Sequence, residues 1–423
     1  MDMGIGTEAP ARHKNQEVER MRFAGIDIGA ERHVVAVVNE SGEVLRKPVA
    51  FGEDAGGYRR LRELLGAPDD CLIAMEATGG YWRNLFGFLV AEGFRVAVIN
   101  PLRTRRFAEE DLQRTKTDAI DALGIARFAQ QKRPAPTSLS EKSLAELRDL
   151  VRLRQQTVQQ LGDRVRQLHR TVHLVFPEFP RLIRRRLETE MATALLFRYP
   201  TAVSFSRASA TKLARIRYDG SHYVGEQLAR ALITTAKISV AQHHSEPLKL
   251  QVRYACRDIN VLRQRMHDLE ANIERRLDAE EIGKLLTSID GIGPQAAAII
   301  IAEVGDPARF RSVGALASYV GVTPRVRQSG KRQFSHGGAT PLGNARLRSA
   351  LWMPTLAGIR CNPWLRRYYW RLRTAGKRPK VALLATMHKL LAAIYSVSKR
   401  RQPFVLPLIP PPFPPAALAE SEA

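Results

Sequence analysis

Four acidic residues in the N-terminal third of the chain have types and positions that suit metal-dependent chemistry. Asp27 interrupts the apolar stretch "FAGIDIGA", and Glu76 comes near the end of another, "CLIAMEA". Asp118 and Asp121 follow in "KTDAIDALG", and their spacing of three places both on one face of a helix. A carboxylate inside a strand is costly unless a charge or hydrogen bonds compensate it, so Asp27 requires a partner.

Carboxylates that cluster repel one another and therefore need a cation between them. Hard oxygen ligands select Mg²⁺ or Mn²⁺, and two such ions about 4 Å apart activate a nucleophile and stabilise a leaving oxygen in phosphodiester chemistry. Spacing alone leaves simpler roles open: Glu76 as an ion-pair partner, and Asp118 with Asp121 as a solvated helix face.

The short motif "GIDIG" also resembles the strand and turn with which sugar kinases and actin-like ATPases approach nucleotide phosphates. Those folds normally repeat the motif in a second half, and this chain has no second copy. The charge of the chain favours another function. The chain contains 66 Lys and Arg and 42 Asp and Glu, which gives a formal net charge of +24. Such a balance favours a polyanion partner, because counterion release drives basic proteins onto phosphate backbones.

The remaining composition excludes several classes of protein. Only three cysteines occur and none forms a CxxC pair, which argues against a disulfide framework or a thiolate zinc site. No run of 18 apolar residues is free of charge, so no membrane span is expected. The N-terminus lacks the apolar core of a secretory signal. We expect a cytoplasmic protein without a membrane partner.

Residues 21–138, after a flexible tail at 1–20, have the pattern of an α/β domain. Three strands at "FAGIDIGA", "HVVAVVN" and "VLRKPVAF" are separated by turn residues, and helices then alternate with the strands "CLIAMEA" and "RVAVINP". This order predicts a mixed sheet with three antiparallel strands followed by parallel ones.

Residues 139–280 change to a helical period. One apolar seam, broken once by Arg154, consists of Leu144, Leu147, Val151, Val158, Leu161, Val165, Leu168, Val172 and Val175. A second consists of Val252, Ala255, Ile259, Leu262, Met266, Leu269 and Ile273. Steps of three and four predict a long antiparallel coiled-coil arm, or helices that dimerise. Residues 177–246 between them predict a helical insert with a loop at 198–209.

Residues 281–404 form a third, mostly α-helical segment, followed by a Pro-rich and disordered tail at 405–423. The stretch "LLTSIDGIGPQAAAIIIAEVGD" predicts a helix-hairpin-helix whose turn, with Gly291 and Gly293, offers backbone N–H groups to a phosphate. A plain tight turn between two helices is the alternative.

The ordered set of motifs is similar to that of DEDD-type insertion-sequence transposases, which are RuvC-like recombinases guided by a bridge (or seeker) RNA. The resemblance extends over about residues 22–404. It rests on "GIDIGAERHVVAVV", "AMEATGGYW" and "KTDAIDALGIARF" in the N-terminal half, and on "IDGIGPQAAAIIIAEVGDPARF" with the residues that follow in the C-terminal half. It implies a RuvC-like (RNase H-type) N-terminal domain and a C-terminal transposase domain.

The resemblance also implies functions for particular residues. Asp27, Glu76, Asp118 and Asp121 fall on the acidic residues that bind divalent metal. Ser329, in "RVRQSGKRQ", falls on the nucleophilic serine that forms a covalent link to a DNA strand end. The implied partners are DNA, a structured noncoding guide RNA and further copies of the chain, in a dimer or tetramer with a site shared between subunits.

The residues around Ser329 are compatible with that function, although they also suit a plain turn before Gly330. We predict a loop in which four cations bind the attacked phosphate: Arg325, Arg327, Lys331 and Arg332. Gln328 replaces the small or serine residue common in the family, so Ser335 is the second candidate nucleophile. His336 is a proton shuttle, a phosphate contact or a solvated loop residue.

A helix is predicted after this loop, with Thr340 as N-cap and Pro341 as its first residue. Its Arg346 and Arg348 would lie along nucleic acid. The expected function is therefore a recombinase that moves its own element. Two other functions remain open on the sequence: a junction-resolving nuclease that attacks with water, and a non-catalytic nucleic-acid-binding scaffold.

Overall fold

The structure is a computed structural model that describes residues 21–77, 79–110, 117–137, 142–184, 186–329, 332–339 and 343–407. The predicted tail at 1–20, and residues 408–423 of the other, lie outside the described residues. The chain divides into two compact units, residues 1–139 and 140–423. Each unit is described by itself. The finer predicted domain boundaries stay a prediction.

The first unit contains a five-stranded mixed sheet in the order β3-β2-β1-β4-β5. Its strands are β1 (Arg22–Asp27), β2 (Arg32–Val38), β3 (Val44–Gly52), β4 (Cys71–Glu76) and β5 (Arg95–Ile99). Strands β1, β2 and β3 pair antiparallel, whereas β4 runs parallel to both β1 and β5. The predicted α/β arrangement and strand directions are confirmed.

Helices cover both faces of this sheet, which explains why its central strands are almost wholly apolar. Helices α1 (Ala55–Leu65) and α2 (Trp82–Ala91) pack on one face, where Ile26 and Ile73 are buried. Helices α3 (Pro101–Glu110) and α4 (Asp118–Lys132) belong to the other face, where Phe107 and Phe128 meet edge to face at 5.5 Å.

The second unit contains two long helices, α5 (Lys142–Val175) and α11 (Glu246–Asp278). Five shorter helices lie between them in sequence: α6 (Phe179–Leu182), α7 (Glu190–Arg198), α8 (Ala202–Ser206), α9 (Ala210–Ala214) and α10 (Glu226–Lys237). Ion pairs join Glu146 to Arg276 at 3.3 Å and Arg164 to Asp258 at 3.2 Å, so α5 and α11 pack antiparallel. The antiparallel pair is as predicted; its supercoiling stays a prediction.

The predicted seam of α5 is interrupted at one position. Leu147, Val151, Leu168 and Val172 are buried, but Val158 is 42% exposed and Thr157 is buried instead. A straight helix has 3.6 residues per turn and drifts away from a strict heptad, which moves the buried stripe by one residue here. The inclusion of Val158 in the seam was therefore wrong.

The insert between the long helices has its own apolar core. The rings of Phe176, Phe179 and Phe205 lie 5.4–5.8 Å apart at its centre. The loop predicted at 198–209 is wrong, because helix α8 lies within it. Thr201 and Ser204 cap this helix reciprocally, each side chain accepting from the other's backbone N–H. Two such caps stabilise a five-residue helix that has little periodicity of its own.

The rest of the second unit is helical except for one hairpin. Its elements are α12 (Glu281–Thr287), α13 (Pro294–Val304), a 3₁₀ turn (Pro307–Arg309), α14 (Val313–Val320), β6 (Pro324–Ser329), β7 (Arg332–Ala339), α15 (Ala345–Ala350), α16 (Trp352–Cys361), α17 (Pro363–Thr374) and α18 (Pro379–Arg400). Helix α18 is long and apolar enough to cross a membrane, but 56% of that apolar window is buried inside the protein. Its Met387, Leu390 and Ile394 belong to the core that α13 and α14 share, as expected of a core helix.

Candidate acidic site and serine hairpin

Asp27 and Glu76 are the last residues of two neighbouring parallel strands. Ile26 of β1 lies beside Met75 of β4, so the next residue along each strand is one of the two acids. The carboxyl ends of parallel strands meet at one edge of a sheet, where functional groups gather. The strand pairing therefore brings together two acids that are 49 positions apart in the sequence.

Helix α4 adds the other two acids because it packs directly on Gly25. A Cβ atom on Gly25 would lie 2.1 Å from the backbone nitrogen of Ala126 and 2.3 Å from the carbonyl oxygen of Ala122. Only glycine permits this approach of helix to strand. Asp118 and Asp121 lie in the first turn of α4, after Thr117, whose side chain accepts from the N–H of Ile120. The stretch "RTKTDAIDALGIARFA" predicts a helix from Arg114 onward, and residues 114–116 lie outside the described residues.

The four acids are close enough to act on one another electrostatically. The pKa of Asp27 is raised to about 6, first by burial and then by the negative charges of Asp121, Asp118 and Glu76, against the hydrogen bond from the Ile28 N–H, which lowers it. Each neighbouring carboxylate makes ionisation of Asp27 less favourable. The other three acids therefore repel the charge of Asp27 and do not neutralise it.

The donor set fits a hard divalent cation by its chemistry. All four side chains offer carboxylate oxygens, and a cation would relieve the charge that raises the pKa of Asp27. Among the described residues, however, no three His, Cys, Asp or Glu side chains already stand close enough together to hold an ion. Metal binding by these acids therefore stays a prediction.

Thr104 is a residue of this site that the sequence interpretation missed. It lies on α3 and is 7% exposed, and its hydroxyl donates a hydrogen bond to Oε1 of Glu76. The same hydroxyl has the carbonyl oxygen of Pro101 3.0 Å away as a second acceptor. The sequence contains one signal for helix α3, which is Pro101 in its first turn. The helix is otherwise short and rich in arginine, so its apolar periodicity is weak.

A second polar cluster lies at the same end of the sheet but on the α1 and α2 face. Glu53 accepts hydrogen bonds from His33 (2.6 Å), Tyr58 (2.8 Å) and Asn84 (3.1 Å). Burial raises the pKa of Glu53, but these three hydrogen bonds outweigh it and hold the pKa below its ordinary value. These hydrogen bonds link β2, α1 and α2 at the end of the sheet where Asp27 and Glu76 lie.

Ser329 lies in a strand, so the predicted loop around it was wrong. It is the last residue of β6 and pairs with Arg332, the first residue of β7. Gly330 and Lys331, which join the strands, lie outside the described residues. Ser335 and His336 lie inside β7, so the hairpin places Ser329 at its tip and Ser335 further along the strand. A two-residue connection with glycine was the hairpin signal.

The base of this hairpin is fixed on both sides. A Cβ atom on Gly343, whose φ is +113°, would lie 2.7 Å from the backbone nitrogen of Gly321. Next to it, the N–H of Asn344 donates to the carbonyl of Tyr319 at 2.7 Å, and its side-chain amide donates to Glu303 at 2.9 Å. The segments that enter and leave the hairpin are thus held together at its base.

The helix after the hairpin begins later than predicted. Thr340 and Pro341 lie outside the described residues, and α15 begins at Ala345 with Asn344 as its N-cap. Arg346 is exposed on this helix, whereas the guanidinium of Arg348 donates to the carbonyl of Val320 at 3.1 Å.

The two glycines of the "DGIGP" turn differ in their surroundings. Gly291 lies against α16, where a Cβ atom would be 2.6 Å from the Cα of Gly358, so it packs inside the unit. Gly293 is exposed at the N-cap of α13. Two helices joined by a short turn are present as predicted, and phosphate binding there stays a prediction.

Comparisons with known protein families agree with this arrangement. A model of the DEDD-type IS110 transposases matches residues 24–177. A second model, described as the transposase IS116/IS110/IS902 family, matches residues 283–370. The first match contains all four acids and the second contains the serine hairpin, and together they cover more than half of the chain.

Similar proteins from bacteria cover most of the chain. The insertion element IS110 43.6 kDa protein of Streptomyces coelicolor is 28% identical over 72% of this chain and 76% of its own length. The mini-circle putative transposase for IS117 of the same organism is 26% identical over 90% of this chain and 95% of its own. The pilin gene-inverting protein of Moraxella bovis is 23% identical over 78% of this chain and 81% of its own length. The chain belongs to the DEDD-type IS110 transposase family, whose members are enzymes that act on DNA.

Proposed function

We propose that this transposase cleaves and exchanges DNA strands with two sets of residues: an acidic metal site in the first unit and a serine nucleophile in the second. The acids are Asp27, Glu76, Asp118 and Asp121, and the nucleophile is Ser329. The product of their action is movement of the insertion element that encodes the chain. The RuvC-like assignment of the first unit is part of this proposal, and its five-stranded mixed sheet supports it.

The observation that carries the proposal is the electrostatic state of Asp27. Its pKa is raised to about 6 by burial and by the three other acids, although nothing in their spacing along the chain requires them to meet. Carboxylates that raise the pKa of one another are unfavourable for folding alone. Such an arrangement is typical of sites that bind metal or transfer protons.

Asp27, Glu76, Asp118 and Asp121 would hold Mg²⁺ or Mn²⁺. When bound, these ions stabilise charge that develops on phosphate oxygens during phosphodiester cleavage. Thr104 keeps Oε1 of Glu76 in one orientation by its hydrogen bond. The backbone of Asp27 is fixed in β1, which pairs with β2 on one side and β4 on the other. Asp27 would therefore keep its position while a DNA strand is exchanged.

Ser329 supplies the covalent step. Its Oγ forms a bond to the phosphorus of a DNA strand, the bond from that phosphorus to a deoxyribose oxygen breaks, and the serine proton passes to solvent while the released oxygen takes one up. The hydroxyl of a second strand then attacks the same phosphorus and releases the serine. Arg325, Arg327, Lys331 and Arg332 would bind the phosphate during both steps.

The guide RNA and the oligomer complete the proposal. The positive charge of the chain supports a structured RNA as a second polyanion beside DNA. The long antiparallel helices α5 and α11 offer a rigid arm for assembly into a dimer or tetramer. Measurement of the molar mass of the full chain, with and without the noncoding RNA of the element, tests both RNA binding and the oligomeric state.

The central experiment is strand exchange in vitro with the full chain, the RNA of the element and a DNA target, in Mg²⁺. We expect Asp27→Asn and Ser329→Ala each to abolish exchange while both proteins still bind DNA. Glu63→Gln, on the exposed face of α1, is the matched control for loss of one acid and should retain full activity. Full exchange by Asp27→Asn would overturn the metal site, and full exchange by Ser329→Ala would overturn the nucleophile.

A further inference from the structure

The C-terminal part of the chain carries most of its net positive charge. Between Asp306 and Glu420 the sequence has 20 Lys and Arg and no Asp or Glu. The whole chain has a net charge of +24. A folded segment with this imbalance repels itself, which lowers its stability unless a polyanion is bound.

Cations from the end of α16, along α17 and at the start of α18 are presented to solvent. We define the α17–α18 cationic surface by its exposed members: Arg360, Arg366, Arg371, Lys377, Arg378 and Lys380. In the described part of the chain, no carboxylate forms an ion pair with any of these six. Cations elsewhere are often neutralised in this way: Arg230 pairs with Glu226 at 2.8 Å, and Arg186 with Glu188 at 3.3 Å.

Aromatic rings and carbonyl groups, rather than acids, hold this region in place. The guanidinium of Arg371 lies over Tyr368 at 5.1 Å, and the ammonium of Lys389 lies over Trp364 at 4.6 Å. Arg366 donates to the carbonyl of Ile359 at 3.2 Å. A ring face or a carbonyl orients a cation without cancelling its charge. Arg366 and Arg371 are therefore held in position with their charges still available.

We infer that the α17–α18 cationic surface binds the phosphate backbone of duplex DNA, with residues other than the acids and those of the serine hairpin. The inference rests on the proposed function only in taking DNA as the substrate. It concerns binding and not catalysis. Because the cations contact phosphates and not base edges, we expect binding to be independent of base sequence.

The aromatic residues of α17 decide between a duplex and a single strand. Proteins that bind single strands stack unpaired bases on free ring faces. Here Tyr368 lies within 5.5 Å of both Arg371 and Lys389, and Tyr369 and Trp370 meet edge to face at 5.6 Å. Rings engaged with one another and with cations leave the cations as the binding groups, which suits a regular backbone.

An anionic membrane is the other polyanion that such a surface would fit. Binding to lipid needs an apolar face beside the cations. The apolar residues of α18 next to this surface, Leu383 and Met387, are buried in the protein. Val381, beside Lys380, is 51% exposed. A single exposed valine is too small an apolar face to insert into lipid beside these cations.

The test uses the full chain and a labelled random-sequence duplex of about 30 base pairs, with binding measured by fluorescence anisotropy over a range of salt concentrations. EDTA prevents metal-dependent cleavage. The variant Lys377→Gln/Arg378→Gln/Lys380→Gln changes only exposed side chains. The matched control, Arg166→Gln/Arg186→Gln/Arg230→Gln, removes the same charge from cations that are paired with carboxylates.

We expect the first triple variant to bind duplex about tenfold or more weakly and to reduce the slope of log affinity against log salt by about 2 to 3. The control should keep the slope of the unmodified chain, and Lys377→Arg/Lys380→Arg should bind normally. Binding of a duplex in EDTA does not involve the covalent serine step, so a failure of the serine mechanism leaves this result intact.

Three results would overturn the inference: an equal loss in both triple variants, a greater loss for a single strand of the same length than for the duplex, or a greater loss for vesicles containing phosphatidylserine. Thermal unfolding of each variant, measured beside binding, ensures that the comparison is made between folded proteins.

Discussion

The backbone of Gly25 in β1 touches the backbone of α4, and a single added methyl group at Gly25 would lie 2.1 Å from the nitrogen of Ala126. This contact decides where Asp118 and Asp121 stand, because both are in the first turn of the same helix. The distance between strand and helix is thus set by one residue without a side chain, and the acidic site depends on it.

Substitution of Gly25 by alanine should separate α4 from the sheet. The obstructing atoms are backbone, so the helix as a whole must move, and we expect a loss of about 3 kcal/mol in the free energy of unfolding. Urea denaturation measures it. The control is Gly87→Ala on α2, where a Cβ atom meets nothing within 4 Å and where alanine should be neutral or slightly stabilising. Equal stability of both variants would contradict this packing role.

Asp27→Asn should make the metal-free protein more stable at neutral pH. The folded pKa of Asp27, about 6, lies above the ordinary value of 3.8. The folded state therefore holds its proton more tightly than the unfolded state, and stability is lost as pH rises from about 4 to about 6. Asparagine removes this loss. We expect a gain of about 1 to 2 kcal/mol above pH 7, after allowance for partial exposure, and little gain below pH 4.

Thermal unfolding across this pH range, in EDTA and then in excess Mg²⁺, measures the effect. Mg²⁺ should stabilise the unmodified chain more than Asp27→Asn, because the ion relieves the repulsion that asparagine has already removed. A pH-independent difference between the two proteins would show that the neighbouring acids do not act on Asp27.

Thr104→Val should weaken activity through Glu76. Valine has nearly the shape of threonine but leaves Oε1 of Glu76 without its donor. Groups that orient a metal ligand typically change metal affinity or activity by about 10- to 100-fold when removed. Strand exchange measured against Mg²⁺ concentration should show a higher Mg²⁺ requirement for Thr104→Val. Thr104→Ser, which keeps the hydroxyl, should restore the ordinary requirement.

A covalent protein–DNA product should form through Ser329 and not through Ser335. Ser329 ends β6 at the tip of the hairpin, whereas Ser335 lies inside β7. A suicide substrate with a nick beside the cleavage site prevents the reverse reaction, and denaturing electrophoresis then detects the adduct. We expect no adduct with Ser329→Ala and a normal amount with Ser335→Ala. Cleavage without any adduct would indicate attack by water.

The pair of Arg154 and Glu270 should stabilise the antiparallel arm. Nε of Arg154 donates to Oε1 of Glu270 at 2.9 Å, and both side chains are largely buried, with 20% and 33% exposed. Arg154→Met should cost roughly 1 to 3 kcal/mol, since it leaves Glu270 without a partner, whereas the double variant Arg154→Met/Glu270→Met should recover most of the loss. Arg166→Met, which breaks an exposed pair with Asp163, is the control and should cost less than about 0.5 kcal/mol.

Local patterns in the sequence were sufficient for the elements that carry strong periodicity. The apolar runs around Ile26 and Ile73 predicted the central strands, and the two seams predicted the long helices and their antiparallel direction. They failed where a few side-chain hydrogen bonds outweigh periodicity, as at the Thr201 cap of α8, and where charged residues fill a strand, as in the hairpin that carries Ser329.

The sequence by itself determined the types of the four acids, the charge of the C-terminal part and the family. Only the tertiary structure decided that Asp27 and Glu76 end neighbouring strands and that the other acids act electrostatically on Asp27, since strand pairing and the contact at Gly25 act between residues far apart in the chain. It also decided which residues support them: Thr104 became part of the site because α3 packs against the sheet. A hydrogen bond across 28 positions depends on packing of the whole unit, and no local pattern contains it.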